Sequence, residues 1–416
     1  MSTTELTYDF VAPSRIAFGW GRRSEVGGLA RSLGRRAFVV CGSRTLELNG
    51  ALHESVTSLR AAGLDSIRCE TISREPLVED VDRTVAFLRN AQAGHGDLLV
   101  AIGGGSAVDL AKAAGALVTQ DSATSVLDYL EGVGKGLKIV NTPLPLLAMP
   151  TTGGTGSEAT KNAVISSYHP PFKKSLRSEL MVPRVVLVDP ELSVSVPSQI
   201  TAWTGMDAIT QLIESYVSRR ATTATQNIAW SGLGLAVPNI LQAYRNGSSR
   251  PAREGLAQAA LMSGIALANS GLGMAHGVAA ALGVHCNVPH GLACAVMLPA
   301  AIRANRADAR GEEKLARAGW AMLRPGVSSA DPGDVTGRPG ELGQFARATT
   351  GGRVDRVLSH IETLLIELKI PGRLSEFGVK PEQIPAIVRD SRGNSMSGNP
   401  RELSDEELTR ILEAML

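Results

Sequence analysis

Short apolar runs recur through the first part of the chain, each bounded by glycine, proline or charged residues. They are residues 37–41 (AFVVC), 97–103 (DLLVAIG), 145–149 (PLLAM) and 184–188 (RVVLV). A short run without polar alternation is typical of a strand buried on both faces, as in a parallel sheet. Helical spacing occupies residues 56–63, 81–91 and 107–118 between these runs. This part of the chain therefore predicts an open α/β domain with a parallel sheet.

The pattern changes after Asp189 and Pro190, where long segments rich in Ala, Leu, Ile and Met carry helical periodicity. These segments are residues 206–218, 223–243 and 254–270. We expect an α/β domain over residues 1–192 and an all-α domain over residues 193–416, divided within the stretch DPELSVSVPS. Residues 324–352 are rich in Gly, Pro and Ser and predict a surface excursion between helices.

Composition and charge narrow the class of function. Apolar residues make up 44% and charged residues 20% of the chain, as in folded globular proteins. Lys plus Arg number 42 against 40 for Asp plus Glu, which argues against a nucleic-acid partner. The four cysteines show no CxxC pair, and the opening MSTTELTYDF lacks the features of an export signal. Because long apolar runs are also missing from the sequence, we expect a cytoplasmic protein that acts on a small molecule away from membranes.

A glycine-rich turn follows the second apolar run. The segment DLLVAIGGGSAVDLAKAAGAL passes from a strand pattern through Gly103, Gly104, Gly105 and Ser106 into a helix pattern. Glycines let backbone N–H groups approach a phosphate closely, and the helix that follows offers a positive dipole end. The spacing is not GxGxxG, and tight packing alone could also explain the turn.

A second loop, MPTTGGTGSEAT, follows the third apolar run over residues 149–160. Its hydroxyl-bearing residues and glycines suit the base and ribose of a nucleotide. Loops that follow neighbouring parallel strands converge at the carboxyl edge of the sheet, where open α/β folds bind ligands. The two loops together therefore predict a nucleotide site.

Carboxylate and imidazole side chains cluster in the helical half. Asp207 and Gln211 are four residues apart, on one face of a predicted helix, and His276, His285 and His290 follow. One carboxylate with two imidazoles is a common divalent-metal site. Histidines satisfied within the core would give the same pattern, so spacing alone leaves both readings open.

The motifs together resemble the iron-containing, or group III, alcohol dehydrogenases, over nearly the whole chain. The resemblance includes FVAPSRIAFGWG, GGGSAVDLAK, PTTGGTGSEAT, VPRVVLVDPEL, TGMDAITQLIESYVS, GLGMAHGVAAALG, VPHGLACAVMLP and GNPREL, in that order. It implies a dinucleotide-binding α/β domain, a helical metal-binding domain and a substrate that reacts between them. It also implies NAD or NADP and a divalent metal, Fe²⁺ or Zn²⁺, as cofactors.

The resemblance assigns roles residue by residue. It implies a pyrophosphate site at Gly103, Gly104, Gly105, Ser106 and Asp109. It implies contacts with the adenosine and nicotinamide halves at Thr151, Thr152, Thr155, Thr160 and Lys173. The family's metal ligands fall on Asp207, Gln211, His276 and His290, of which Asp207, His276 and His290 keep the family's residue type. A further family histidine, linked to proton relay, falls on Ala280.

Two departures from the family pattern lead to specific expectations. A carboxamide oxygen is a weaker ligand than an imidazole, so Gln211 predicts a weakly held metal. Gly42 stands where many members have an Asp that contacts the ribose, and Ser43 and Arg44 follow it. We therefore expect NADPH to serve at least as well as NADH, unless Gly42 is an ordinary strand-end glycine and Arg44 a solvated side chain.

The expected reaction is metal-assisted hydride transfer between NAD(P)(H) and a small alcohol or aldehyde, in a homo-oligomer, most simply a dimer. The alternatives are a reductase of a hydroxy-acid and oxo-acid pair and a degenerate protein that binds nucleotide without catalysis. A cyclase of the dehydroquinate synthase type is disfavoured, because the ligand motifs lack the cluster of basic residues that a phosphorylated substrate requires. Cys286, Cys294 and His285 are predicted to be packing residues outside the site.

Overall fold

The computed structural model describes residues 7–42, 44–323 and 341–416. Its strands are β1 (Arg15–Phe18), β2 (Arg36–Cys41), β3 (Asp65–Thr71), β4 (Asp97–Gly103), β5 (Leu146–Pro150), β6 (Asn162–Tyr168), β7 (Pro171–Arg177) and β8 (Val185–Val188). Six of them form a parallel sheet in the order β1-β8-β5-β4-β2-β3. The strands β6 and β7 form a separate antiparallel pair.

Helices cover both faces of the parallel sheet. They are α1 (Val26–Arg31), α2 (Thr45–Leu48), α3 (Ala51–Ala61), α4 (Val78–Asn90) and α5 (Gly105–Leu117). Along β2, Phe38 and Val40 face a core shared with α4 and α5, whereas Val39 and Cys41 face a core shared with α1 and α3. Both faces of the strand are therefore apolar, and the predicted parallel α/β domain is confirmed.

The structure has two edge strands that the sequence analysis did not predict. β1 pairs only with β8, and β3 pairs only with β2. Both leave much of their length partly or fully exposed, so their sequences, RIAF and DSIRCET, mix polar with apolar residues. An edge strand needs no continuous apolar run, which explains why the pattern did not reveal them.

The second half is all-helical among the described residues, as predicted. Its helices are α6 (Ser198–Val217), α7 (Thr223–Arg245), α8 (Arg250–Ser270), α9 (Met274–Cys286), α10 (His290–Asn305), α11 (Ala309–Met322), α12 (Glu341–Arg347), α13 (Thr350–Glu367), α14 (Ile384–Asp390) and α15 (Asp405–Glu413). Helix α6 is buried throughout its carboxyl-terminal part, residues 205–217, and packs against α7, α8 and α10. Polar side chains on this stretch must therefore find partners inside the domain.

The predicted excursion at residues 324–352 is wrong in its last part. Residues 324–340 lie outside the described chain, but α12 and the start of α13 occupy residues 341–352. Phe345 is fully buried and meets the Trp320 ring edge-on at 5.0 Å between centroids. One buried aromatic residue thus anchors a short helix that the surrounding glycines obscure in the sequence.

No single helix in the described ranges is long and apolar enough to cross a membrane, and α8 and α9 reach that length and composition only as a pair bent by 101°.

Candidate active site

A cavity of about 340 Å³ opens where β2, β4 and β5 end. Gly42, Gly104 and Thr151, which follow these strands, line it together with Ser106 and Thr152. Residues 195–197, which precede α6, and Ile200, in its first turn, also line it. The two glycine-containing loops therefore meet at the carboxyl edge of the sheet, where a nucleotide site is expected.

The ends of β2 and β4 approach each other too closely for side chains. A Cβ atom on Gly103 would lie 2.7 Å from the Cα atom of Gly42 and 2.8 Å from the Cβ atom of Ala107. A Cβ atom on Gly42 would lie 2.8 Å from the Cα atom of Gly103. Packing alone therefore requires glycine at both positions.

Gly104 differs from Gly103 because its surroundings leave room for a side chain. It precedes the first turn of α5 with φ −71° and ψ −175°, and its Cβ position would make ordinary contacts of 3.4 and 3.5 Å with the Thr152 side chain. Gly104 also lines the cavity, and because it has no side chain, the space beside the amino terminus of α5 stays open. This is the space that a phosphate group would fill.

Two of the predicted cofactor residues instead join α5 to the second loop. The Asp109 carboxylate accepts hydrogen bonds from the Ser157 hydroxyl and from the backbone N–H of Val164, at 3.1 Å for the latter. Thr160 accepts a hydrogen bond of 2.9 Å from the buried ammonium of Lys112. These contacts hold the loop in position, so neither side chain is among the cavity-lining groups.

The remaining predicted cofactor residues take different positions. Gly103, Gly105, Thr155 and Lys173 are not among the residues that line this cavity. Lys173, on β7, forms an ion pair with Glu75. Ser43 lies outside the described residues.

A buried cluster of candidate metal ligands lies between α6, α9 and α10. Asp207, His276, His290 and Cys294 each present a ligand atom, and these four atoms all lie within 4.8 Å of one another. His276 Nε2 is 3.1 Å from Asp207 Oδ1, and Cys294 Sγ is 3.7 Å from His290 Nε2. The structure thus brings together three residues that the sequence analysis proposed and one, Cys294, that it left outside the site.

Glu214 fixes the orientation of His276, a role that the sequence analysis missed. Its carboxylate lies 2.7 Å from His276 Nδ1 and accepts hydrogen bonds from the backbone N–H groups of Gly273 and Ala275 at the start of α9. With Nδ1 held by Glu214, Nε2 points at Asp207. A carboxylate behind a ligating imidazole is the usual support in metal sites. The available signal was the spacing, because Glu214 follows Asp207 by seven residues on the same face of α6.

Gln211 supports Asp207 in this structure. Its Nε2 donates a hydrogen bond of 3.3 Å to Asp207 Oδ1, and its Oε1 accepts one of 2.9 Å from the Ser263 hydroxyl. The carboxamide therefore presents N–H groups to the ligand carboxylate, and its oxygen is engaged by α8. The family resemblance implies a ligating histidine at position 211, whereas Gln211 forms part of a hydrogen-bond chain here.

Asp207 and His290 are in the charge states that bind a cation. His276, whose two ring nitrogens both face carboxylates, holds a proton that a metal would have to displace. Burial alone would lower the pKa of His276, but Cys294, Asp207 and Glu214 raise it well above its usual value. Burial, the nearby ammonium of Lys173 and His276 lower the pKa of His290, so that its imidazole is neutral, the form that binds metals. Burial would raise the pKa of Asp207, yet His276 and His290 lower it overall, and the carboxylate is ionised.

The donor set fits a divalent metal. It combines a carboxylate with two imidazoles and a thiol, all common ligands of zinc and iron. His290 Nδ1 is buried and has no hydrogen-bond partner in the part of the chain that the structure describes. His285 and Cys286 lie apart from the cluster, and His285 Nε2 is 2.7 Å from Asp390 Oδ2.

Comparisons with known proteins agree with this architecture. The family model "Iron-containing alcohol dehydrogenase" matches residues 13–190, and the model for the C-terminal part of the same family matches residues 201–416. The chain is 30% identical over 410 residues to the 1,3-propanediol dehydrogenase of Klebsiella pneumoniae, covering 97% of each protein. It is 27% identical to the NADPH-dependent butanol dehydrogenase of Clostridium saccharobutylicum, covering 98% of this chain and 97% of the relative. A solved structure of 1,3-propanediol oxidoreductase has a TM-score of 0.86 and 29% identity, with 99% of this chain and 100% of that chain covered.

Proposed function

Since the chain belongs to the iron-containing alcohol dehydrogenase family and is a metal-assisted, NAD(P)-dependent alcohol dehydrogenase, we propose that Asp207, His276 and His290 hold its catalytic metal. The observation that carries this proposal is the convergence of their ligand atoms within 4.8 Å, deep between three helices. One carboxylate with two imidazoles is a common donor set of divalent-metal sites.

Each side chain in the site has a separate task. Glu214 orients His276, and Gln211 restrains Asp207, so the donors are held before any cation arrives. A divalent metal bound here would supply Lewis-acid polarisation of an alcohol or carbonyl oxygen. The open space beside Gly104 and the hydroxyls of Thr151 and Thr152 would receive the dinucleotide.

We propose a small alcohol and aldehyde pair as the substrate. Two of the similar proteins are named for 1,3-propanediol and butanol, which are both short aliphatic alcohols. A hydroxy-acid and oxo-acid pair remains the second candidate within the same chemistry, and it would be distinguished by substrate profile. A homodimer and a cytoplasmic location stay predictions from the sequence.

We further propose that NADPH serves at least as well as NADH. Gly42 lines the cavity and carries no carboxylate that would repel a 2′-phosphate. Arg44, two residues further along the chain, is exposed and carries a positive charge. Because the close approach to Gly103 would make Gly42→Asp disrupt packing, Arg44→Ala is the cleaner variant. It should lower kcat/KM for NADPH by about 3-fold to 10-fold, as expected for losing an exposed charge contact, and leave the value for NADH unchanged.

The test of the function is a reductase assay on the metal-loaded protein. Zn²⁺ and Fe²⁺ are each added to the purified protein with NADH or NADPH and a panel of aldehydes and 2-oxo acids. We expect aldehyde reduction that disappears in His276→Ala. Activity with 2-oxo acids alone would favour the second candidate, and cofactor binding without turnover in any combination would indicate a degenerate nucleotide-binding protein.

A further inference from the structure

Cys294 lies on the same face of α10 as His290, four residues further along the helix. Residues at this spacing can contact the same ion. Its side chain is fully buried, and its Sγ atom is within 4.8 Å of the ligand atoms of Asp207, His276 and His290. A thiol is therefore placed inside the candidate metal centre, within 4.8 Å of two imidazoles and a carboxylate.

Gln211 is poorly placed to complete the same centre. Its carboxamide oxygen is engaged by the Ser263 hydroxyl at 2.9 Å, and its amide group faces Asp207. For Gln211 to bind a cation through oxygen, the carboxamide would have to turn and break both hydrogen bonds. Each broken contact in a buried site carries a desolvation cost.

We propose that Cys294 is a protein ligand of the metal in this chain, completing a set of four with Asp207, His276 and His290. It would supply the donor that the family resemblance places at position 211. The inference rests on the proposed function in one respect only, namely that this site holds a metal. It departs from the family pattern in the chemistry of the fourth donor, which is sulfur.

The spacing of the donors supports this arrangement. Around a tetrahedral zinc ion, a Zn–S distance of ~2.3 Å and a Zn–N distance of ~2.05 Å place sulfur and nitrogen about 3.6 Å apart. The observed separation between Cys294 Sγ and His290 Nε2 is 3.7 Å. The two atoms are thus spaced for a shared ion, and without one the same separation accommodates a weak hydrogen bond between thiol and imidazole.

A thiolate ligand changes which ion the site prefers. On binding, Cys294 loses its S–H proton and His276 loses the proton on Nε2, both to solvent, while a sulfur–metal and a nitrogen–metal bond form with no change in oxidation state. Thiolate is a soft donor and favours Zn²⁺ over hard cations such as Mg²⁺ or Mn²⁺. The proposal therefore predicts a site that retains zinc, whereas Gln211 as a marginal oxygen donor would predict a weakened one.

Cobalt substitution reads the sulfur bond directly, without reference to dehydrogenase activity. The full-length protein is stripped of metal, loaded with one equivalent of Co²⁺ and examined for thiolate-to-cobalt charge-transfer absorption in the near ultraviolet. We expect the band in wild type, its loss in Cys294→Ser and its retention in Cys286→Ser. Cys286 is the matched control because it is a partly buried thiol at the end of α9, outside the cluster.

Zinc affinity by competition with a chelator gives the second measurement. Cys294→Ser should weaken zinc binding by at least the ~10-fold to 100-fold that follows loss of an outer-shell partner. Wild-type protein that binds one Co²⁺ without the band, and whose zinc affinity Cys294→Ser leaves unchanged, would overturn the proposal while the proposed function stands. Failure of wild type to bind any divalent ion would overturn both.

X-ray absorption on the wild-type zinc protein covers the case in which Cys294→Ser does not fold. One sulfur neighbour at about 2.3 Å supports the proposal. A shell of nitrogen and oxygen neighbours alone refutes it.

Discussion

Gly104→Ala separates the cofactor role of the glycine turn from its packing role. The backbone at Gly104 has φ −71° and ψ −175°, which alanine adopts without strain. The added methyl group would contact the Thr152 side chain at 3.4 and 3.5 Å, which are ordinary van der Waals distances. We therefore expect the variant to fold with a stability within about 1 kcal/mol of wild type.

Cofactor binding should respond differently from stability. The methyl group would stand in the cavity beside the first turn of α5, where it prevents close approach of a phosphate to the backbone N–H groups. A hydrogen bond to a charged group contributes about 1.5–3 kcal/mol. Loss of one such bond corresponds to a Kd that rises about 10-fold to 100-fold for both NADH and NADPH.

Gly103→Ala is the matched control for this experiment. Its Cβ atom would lie 2.7 Å from the Cα atom of Gly42, a backbone atom that cannot move aside cheaply, so the variant should lose about 1–3 kcal/mol of stability or more. Calorimetric titration with each cofactor and chemical denaturation of both variants provide the data. The reasoning fails if Gly104→Ala binds both cofactors within twofold of wild type, or if Gly103→Ala is as stable as wild type.

The other predictions concern support of the metal ligands and pH dependence. Glu214→Gln removes the carboxylate behind His276 and should weaken zinc binding by about 10-fold to 100-fold, measured by chelator competition; an unchanged affinity would show that the ring is held by other contacts. Burial would raise the pKa of Asp97, but the paired guanidinium of Arg36 lowers it overall, with Nη2 2.6 Å from Oδ2. Because the folded-state pKa lies below the unfolded value, the pair stabilises the fold above about pH 4 and loses this contribution as pH falls through the folded pKa. Asp97→Asn should therefore cost about 1–2 kcal/mol at pH 7, and denaturation curves should show the difference from wild type shrinking below about pH 4; a difference independent of pH would contradict the assignment.

The sequence predicted the strands that are buried along their whole length on both faces. Strands β2, β4, β5 and β8 are buried on both faces, so the apolar runs mark them directly. Edge strands and the β6–β7 pair have mixed environments, and their sequences carry no such signature. The short helix α12 depends on the burial of Phe345 against Trp320, a tertiary contact that local pattern does not encode.

In the candidate site, too, the sequence predicted the residues with a local signal and missed those that depend on tertiary packing. Asp207, His276 and His290 could be proposed from residue type and spacing, because few side chains bind metals well. The position of Cys294 depends on the rotation of α10 relative to α6, and that rotation is set by packing over the whole helical domain. From the sequence alone, Cys294 between two alanines is predicted to be an ordinary core residue, because its neighbours on the other helices are not yet known.

The replacement of a histidine by Gln211 has a consequence for how the two halves of the site are coupled. Gln211 connects Asp207 to the Ser263 hydroxyl on α8. The second loop packs directly on the same helix, since a Cβ atom on Gly156 would lie 2.5 Å from the backbone nitrogen of Gly264.

A ligating imidazole at position 211 would turn its nitrogen towards the metal and would have no carbonyl oxygen to accept from Ser263. The carboxamide instead extends a hydrogen-bond chain from Asp207 to Ser263 on α8. With sulfur from Cys294 available as a donor, the site does not need residue 211 as a ligand, and Gln211 is left to hold the carboxylate in a fixed relation to α8, the helix on which the second loop packs. Hydride transfer requires that relation, because the reacting carbon must lie close to the nicotinamide while its oxygen faces the metal centre.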